Sequence, residues 1–124
     1  MEWVIHLDAP ERLVLVNVTG TTKAEPLREM TLELRDAVRQ HQFKRVLLDY
    51  TEAVPGLQPY ETFERPKVLQ ELHFPVEVKV AVLYRTLNED TQFLENVYRN
   101  KGFPVRVFSD RNLALGWLRN AYTD

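Results

Sequence analysis

The residue types that could carry chemistry in this chain are few, and their spacing decides which chemistry is open to them. Asp49, Glu52, Glu61 and Glu64 crowd one stretch, and paired carboxylates are the minimum for general acid–base work. No third group accompanies them to fix their orientation, so they read as solvated loop charges. Ser109 is the only serine and precedes Asp110 where a helix should start, so capping accounts for both. The absence of cysteine excludes thiol nucleophiles, disulfides and cysteine-based zinc sites. His6, His41 and His73 lack the i, i+4 partner and the carboxylate spacing of a metal site. His41 instead continues an apolar helical stripe near its C-terminus, which suits a helix-end or core role. Gly20, Gly56, Gly102 and Gly116 are too scattered for a phosphate-cradling loop. Neither a catalytic residue nor a cofactor is assigned, and the chain reads as a non-enzyme.

A second set of residues suits binding. Thr22, Lys23, Asp49, Tyr50, Thr51, Arg85 and Arg111 follow strand-like runs. In open α/β sheets the carboxyl ends of parallel strands are where ligands gather. Hydroxyls, aromatic rings and cations beside helix first turns would suit an anion or a polar ligand. Tyr60, Thr62 and Phe63 lie in a long connection, Tyr50 to Arg65, expected to cover a pocket or to meet a partner.

The elements that must position these residues follow from periodicity. Trp3 to Leu7 and Leu13 to Val18 are short β-branched runs around the turn Asp8-Ala9-Pro10-Glu11, a hairpin. Thr22 and Glu25 have capping-box spacing, with Pro26 in the first turn. Leu27, Met30, Leu34, Ala37, Val38 and His41 then form one stripe, with Leu32 expected exposed on the opposite side. Arg45 to Asp49 and Lys79 to Tyr84 read as strands buried on both faces. The stretch from Glu52 to Arg65 reads as irregular, with Pro66 starting a short helix that turns Val68, Leu69 and Leu72 inward. Asn88-Glu89-Asp90 opens a helix with Phe93, Leu94, Val97 and Tyr98 on one side, closed by Gly102. Pro104 to Phe108 is the last strand. The final helix places Leu113, Ala114, Trp117, Leu118 and Ala121 inward, and Gly116 within it suggests close packing on the sheet. The result is a single α/β domain over 1–124, ordered β-β-α-β-α-β-α-β-α, with a mixed and mostly parallel sheet.

Composition narrows the function classes. At 44% hydrophobic and 27% charged residues the chain is globular rather than disordered. A net charge of −2 with both signs interleaved lacks the basic stripe of a nucleic-acid binder. Neither a signal peptide nor an apolar run of membrane-spanning length is apparent, so a cytoplasmic setting without membrane insertion is expected.

Leu13 to Gly20, Val46 to Asp49, and Val105 to Arg111 with Ala114 to Leu118 together resemble the STAS domain, the SpoIIAA-like fold of bacterial anti-sigma-factor antagonists. Leu13 to Gly20 running into the Thr22 helix is similar to the family's second strand, glycine and first helix. Val46-Leu47-Leu48-Asp49 is similar to its central strand, and Val105 to Arg111 with Ala114 to Leu118 to its closing strand and helix. The resemblance is nearest to a divergent branch also likened to CRAL-TRIO lipid-binding domains. It implies a non-enzymatic regulatory or protein-interaction module, whose partner is a protein or a second copy in a homodimer. The alternative it implies is a domain that binds or senses a small ligand, a lipid or an anionic metabolite. The family's phosphorylatable Asp-Ser-x-Gly is missing: the corresponding region reads Glu61-Thr62-Phe63-Glu64, leaving Thr62 as the nearest hydroxyl.

Overall fold

Five strands, β1 (Glu2–Asp8), β2 (Leu13–Thr21), β3 (Arg45–Val54), β4 (Lys79–Leu83) and β5 (Val105–Phe108), form one sheet. Four helices, α1 (Ala24–His41), α2 (Pro59–Glu71), α3 (Glu89–Asn100) and α4 (Arg111–Arg119), follow β2, β3, β4 and β5 in turn. The computed structural model describes residues 1–120, so Ala121, expected on the last helix, lies outside the described residues. The strand order across the sheet is β1-β2-β3-β4-β5. β1 runs antiparallel to β2, and every other pair is parallel. This is the expected single-domain mixed α/β architecture.

Spatial order repeats chain order, so each crossover steps the same way across the sheet. Right-handed crossovers taken in one direction put every crossover helix on the same face. Accordingly α1, α2 and α3 share a face, where Leu27, Met30, Leu34, Leu69 and Val97 pack with Val14, Val16, Val46, Leu48 and Val82. The last helix, α4, closes the other face with Ala114, Trp117 and Leu118 over Leu13, Leu47, Ala81 and Leu83. Coverage on both faces is why β3 and β4 carry unbroken apolar runs instead of an alternation.

Helix ends follow local chemistry. The Asn88 side chain accepts from Thr91 N–H at 3.0 Å while Asn88 N–H donates back to Thr91 Oγ1 at 2.9 Å, a reciprocal cap on α3. At its other end Gly102 adopts φ 87°. That left-handed turn lets Gly102 N–H reach Arg99 O at 3.0 Å and Phe103 N–H reach Tyr98 O at 3.1 Å. The Asp110 carboxylate caps α4 by accepting from Leu113 N–H at 3.1 Å.

Several expectations need correction. Thr22 does not cap α1: the N-cap is Lys23, without a side-chain bond, while Thr22 Oγ1 accepts from Gly56 N–H at 3.0 Å. Most of the stretch expected as a long loop is ordered. A bulge sets Tyr50 and Thr51 opposite Val18, and β3 continues to Val54. Helix α2 then starts at Pro59, so Pro66 lies inside it rather than at its start. The Gln58 N–H donates to Glu61 Oε1 at 2.9 Å, a capping box outside the expected pattern. Leu32 is half-buried, His41 is exposed, and Phe93 and Leu113 face solvent despite their apolar spacing. A Cβ at Gly116 would meet nothing within 4 Å, so close packing does not explain that glycine.

Candidate functional site

The ordering of β3 and α2 builds a cavity of about 200 Å³ over the carboxyl ends of β3 and β4, between the first turns of α2 and α3. Monotonic strand order leaves no switch point in this sheet, so the usual crevice of open α/β folds is absent. The hollow is instead made by the bulge in β3 and by the connection Pro55 to Gln58. Thr22 secures that connection through two bonds: Thr22 N–H donates to Val54 O at 2.9 Å, and Thr22 Oγ1 accepts from Gly56 N–H. Gly56 is required there, because a Cβ would fall 2.3 Å from Thr22 O and 2.4 Å from Thr21 Cγ2.

Leu27, Leu57 and Leu94 supply apolar wall, and the polar lining includes Tyr50, Tyr84, Tyr98 and Arg65. A smaller hollow of about 50 Å³, lined by core residues such as Leu48 and Val82, shares Tyr50, Arg65, Leu94 and Tyr98 with it. Arg65 is only 6% exposed. Its Nη2 donates to Thr31 Oγ1 at 2.8 Å and its Nε to Tyr98 Oη at 3.3 Å. No carboxylate among the described residues forms an ion pair with it.

Tyr50 and Tyr84 meet edge to face, ring centroids 5.6 Å apart. Burial pushes both phenols well above their ordinary pKa, and the neighbouring tyrosines push further. The Arg65 charge pulls Tyr50 back only in part. Both hydroxyls therefore keep their protons at neutral pH and remain hydrogen-bond donors.

The structure brings six of the residues singled out from sequence into two groups and leaves four outside both. Thr22, Tyr50 and Thr62 line the cavity. Asp49 lies in register with Leu83, on the α4 side of the sheet, and its Oδ1 accepts from Thr51 N–H at 2.9 Å and Thr51 Oγ1 at 2.6 Å. Arg111, at the start of α4, reaches Asp49 Oδ2 at 3.4 Å, so this group is internally satisfied. Lys23 and Arg85 are exposed and do not line the cavity, while Tyr60 and Phe63 stand on the outer side of α2. Of the clustered carboxylates, Glu61 caps α2, and Glu52 and Glu64 are exposed. The only acid lining the cavity among the described residues is the exposed Asp90. Among the described residues no group of three or more His, Asp or Glu could hold a metal ion.

Sequence reasoning missed Arg65 and Tyr98 as cavity residues, whereas Tyr84, expected at the carboxyl end of a buried strand, lines the cavity there. One signal for Arg65 was available: Thr62, Arg65 and Leu69 are spaced by three and four, the rhythm of one helix face.

No protein-family model and no curated protein matches the chain. Among solved structures it is similar to an uncharacterised protein of the DUF3478 family with a SpoIIAA-like fold from Shewanella loihica PV-4. That pair shares 20% identity at a TM-score of 0.62, over 94% of this chain and 93% of the other. It is also similar to an anti-sigma factor antagonist from Mycobacterium paratuberculosis, with 16% identity and a TM-score of 0.58 over 96% of each chain. At these identities the likeness establishes the fold, and the fold is the STAS, or SpoIIAA-like, one expected from the sequence.

Proposed function

We propose that this chain is a non-enzymatic STAS-like regulatory module that works by contact with a protein partner or a second copy of itself, through the outer side of α2. One observation carries the reading. Tyr60 and Phe63 stand 69% and 61% exposed on the first turns of α2, three residues apart and hence on one side. The other side of that helix is anchored by buried Arg65, Pro66 and Leu69. Rigidly mounted exposed aromatics are typical anchors of protein interfaces. The exposed Val54 ends the strand leading into the same helix.

Further support comes from chemistry and from fold. The carboxylates in Asp49 to Glu64 do not converge, and neutral tyrosines are poor bases. The similar protein from Mycobacterium paratuberculosis is an anti-sigma factor antagonist, a role exercised through a protein. Regulation here does not run through an Asp-Ser-x-Gly serine, and Thr62 is half-buried at the cavity wall rather than presented to a kinase. No helix among the described residues is long and apolar enough to cross a membrane, and a cytoplasmic setting belongs with this reading.

Affinity capture from host lysate tests it, with the wild type compared against a Tyr60→Ser/Phe63→Ser double variant. A protein, or an untagged second copy, retained by the wild type and lost by the folded variant is the expected outcome. Equal retention by both would remove α2 as the contact surface.

A second reading, binding or sensing of a small ligand, is favoured by the cavity itself. Its volume of about 200 Å³ lies below the roughly 300–1,000 Å³ of drug-sized pockets. That size favours a small metabolite over a whole lipid.

A further inference from the structure

We propose that the cavity between α2 and α3 is a site for a small monocarboxylate with an apolar body, its carboxylate held by Arg65. The inference rests on the small-ligand reading and gives it a ligand class and an anchoring residue.

The starting point is an unbalanced charge. A guanidinium carries five N–H donors and does not lose its proton in proteins. Of the five, Nε–H and one Nη2–H reach Tyr98 Oη and Thr31 Oγ1, which leaves three N–H groups without an acceptor among the described residues. Both acceptors are neutral hydroxyls, and no carboxylate of the described residues pairs with the charge. Burying a cation without a counter-charge is costly, and a fold keeps such an arrangement only where something offsets it. Arg65 is 94% buried from solvent yet lines the cavity, so an anion entering the cavity would provide that offset.

The charge count selects the anion. Arg65 is the only lysine or arginine lining the cavity among the described residues, and Asp90 stands on its exposed side. One fixed positive charge matches one negative charge. A phosphate dianion would carry a surplus charge into an apolar hollow that already has a carboxylate near it. A carboxylate also matches the planar guanidinium fork, through two parallel N–H bonds.

The remaining surface selects the body. Tyr50, Tyr84 and Tyr98 offer ring faces with donor hydroxyls, while Leu27, Leu57 and Leu94 offer hydrocarbon. The hollow of about 200 Å³ lies below the roughly 300–1,000 Å³ of drug-sized pockets. An aromatic acid of benzoate size or a short aliphatic acid fills that space, and a long acyl chain exceeds it.

The test is titration of the full chain with sodium benzoate, sodium hexanoate, benzamide and inorganic phosphate, followed by calorimetry and by the shift in Tm. The expected result is saturable one-to-one binding of benzoate or hexanoate, with benzamide and phosphate weaker by about tenfold or more. Arg65→Met should abolish the carboxylate binding. Arg65→Lys, which keeps the charge but not the fork, should weaken it by about tenfold, and it serves as the readout where the methionine variant does not fold. Benzamide binding as tightly as benzoate, or phosphate binding tighter, would overturn the carboxylate assignment while leaving a ligand site standing. Wild-type affinity in either folded Arg65 variant would overturn Arg65 as the anchor. Absence of binding by every probe at millimolar concentration would overturn the carboxylate assignment and leave the small-ligand reading to other ligand classes.

Discussion

Arg65 Nη2 lies 2.8 Å from Thr31 Oγ1, and that bond joins α2 to α1 across 34 residues of sequence. The Thr31 hydroxyl spends its own proton on Leu27 O at 2.8 Å, so toward Arg65 it acts as an acceptor. The guanidinium is thereby held in one orientation by groups that do not neutralise it. On the proposed reading that charge is available to an anion in the cavity.

The first prediction follows from that balance. A buried charge without a counter-charge carries a desolvation cost, which an apolar side chain of similar length removes. Arg65→Met should therefore leave the ligand-free protein within about 1 kcal/mol of wild type or make it more stable by up to about 3 kcal/mol. Urea unfolding midpoints measure this. A loss above about 3 kcal/mol would assign Arg65 a structural role.

The tyrosine cluster predicts weakness in alkali. Tyr50 and Tyr84 hold their protons in the folded state above the pH, near 10.0, at which an unfolded chain releases them. A raised folded pKa gives stability that is complete below the unfolded pKa and is lost as pH rises beyond it. Stability should be flat below about pH 9 with respect to these groups, then fall by up to about 1.4 kcal/mol per pH unit for each tyrosine. Tyr84→Phe should remove about half of that slope, as read by denaturant unfolding between pH 9 and pH 11.

Two glycines should respond in opposite directions to alanine. At Gly56 the new methyl would collide with the backbone of Thr22, so Gly56→Ala should cost about 1–3 kcal/mol and distort the cavity wall. At Gly116, on the exposed side of α4, the methyl meets nothing and removes a helix-interior glycine. Gly116→Ala should stabilise by about 0.5–1 kcal/mol. Thermal unfolding of both variants checks the pair.

Much of the fold was legible because periodicity and β-branched runs marked every strand and three of the helices. The exception, α2, is instructive. Pro55, Gly56, Pro59 and Pro66 punctuate it like a loop, and a helix-interior proline normally costs about 3 kcal/mol. Tertiary burial overrides that signal: Pro66 is among the fully buried side chains, and Thr62 O forgoes the donor that a residue four positions later would supply. The cavity was hidden with the helix. Strand-end logic brought Thr22 and Tyr50 to the correct end of the sheet. It could not separate Asp49 and Arg111, which belong to the α4 side, because one pleat step or one bulge decides the face. Tyr98 reads as core from spacing alone, and nothing local distinguishes its hydroxyl partner.

The outer side of α2 should be dispensable for folding. Tyr60 and Phe63 are exposed, so the Tyr60→Ser/Phe63→Ser variant should unfold within about 0.5 kcal/mol of wild type. That makes it a clean probe of contact rather than of stability, provided its urea midpoint confirms the match.

The most direct measurement of the α2 contact is native mass spectrometry of tagged chain recovered gently from host cells, wild type beside Tyr60→Ser/Phe63→Ser. The expected wild-type spectrum carries a heavier species containing a protein partner or a second copy, and the variant spectrum carries the chain without it. The same set of species from both proteins, whether bare chain or complex, would contradict a regulatory module working through α2.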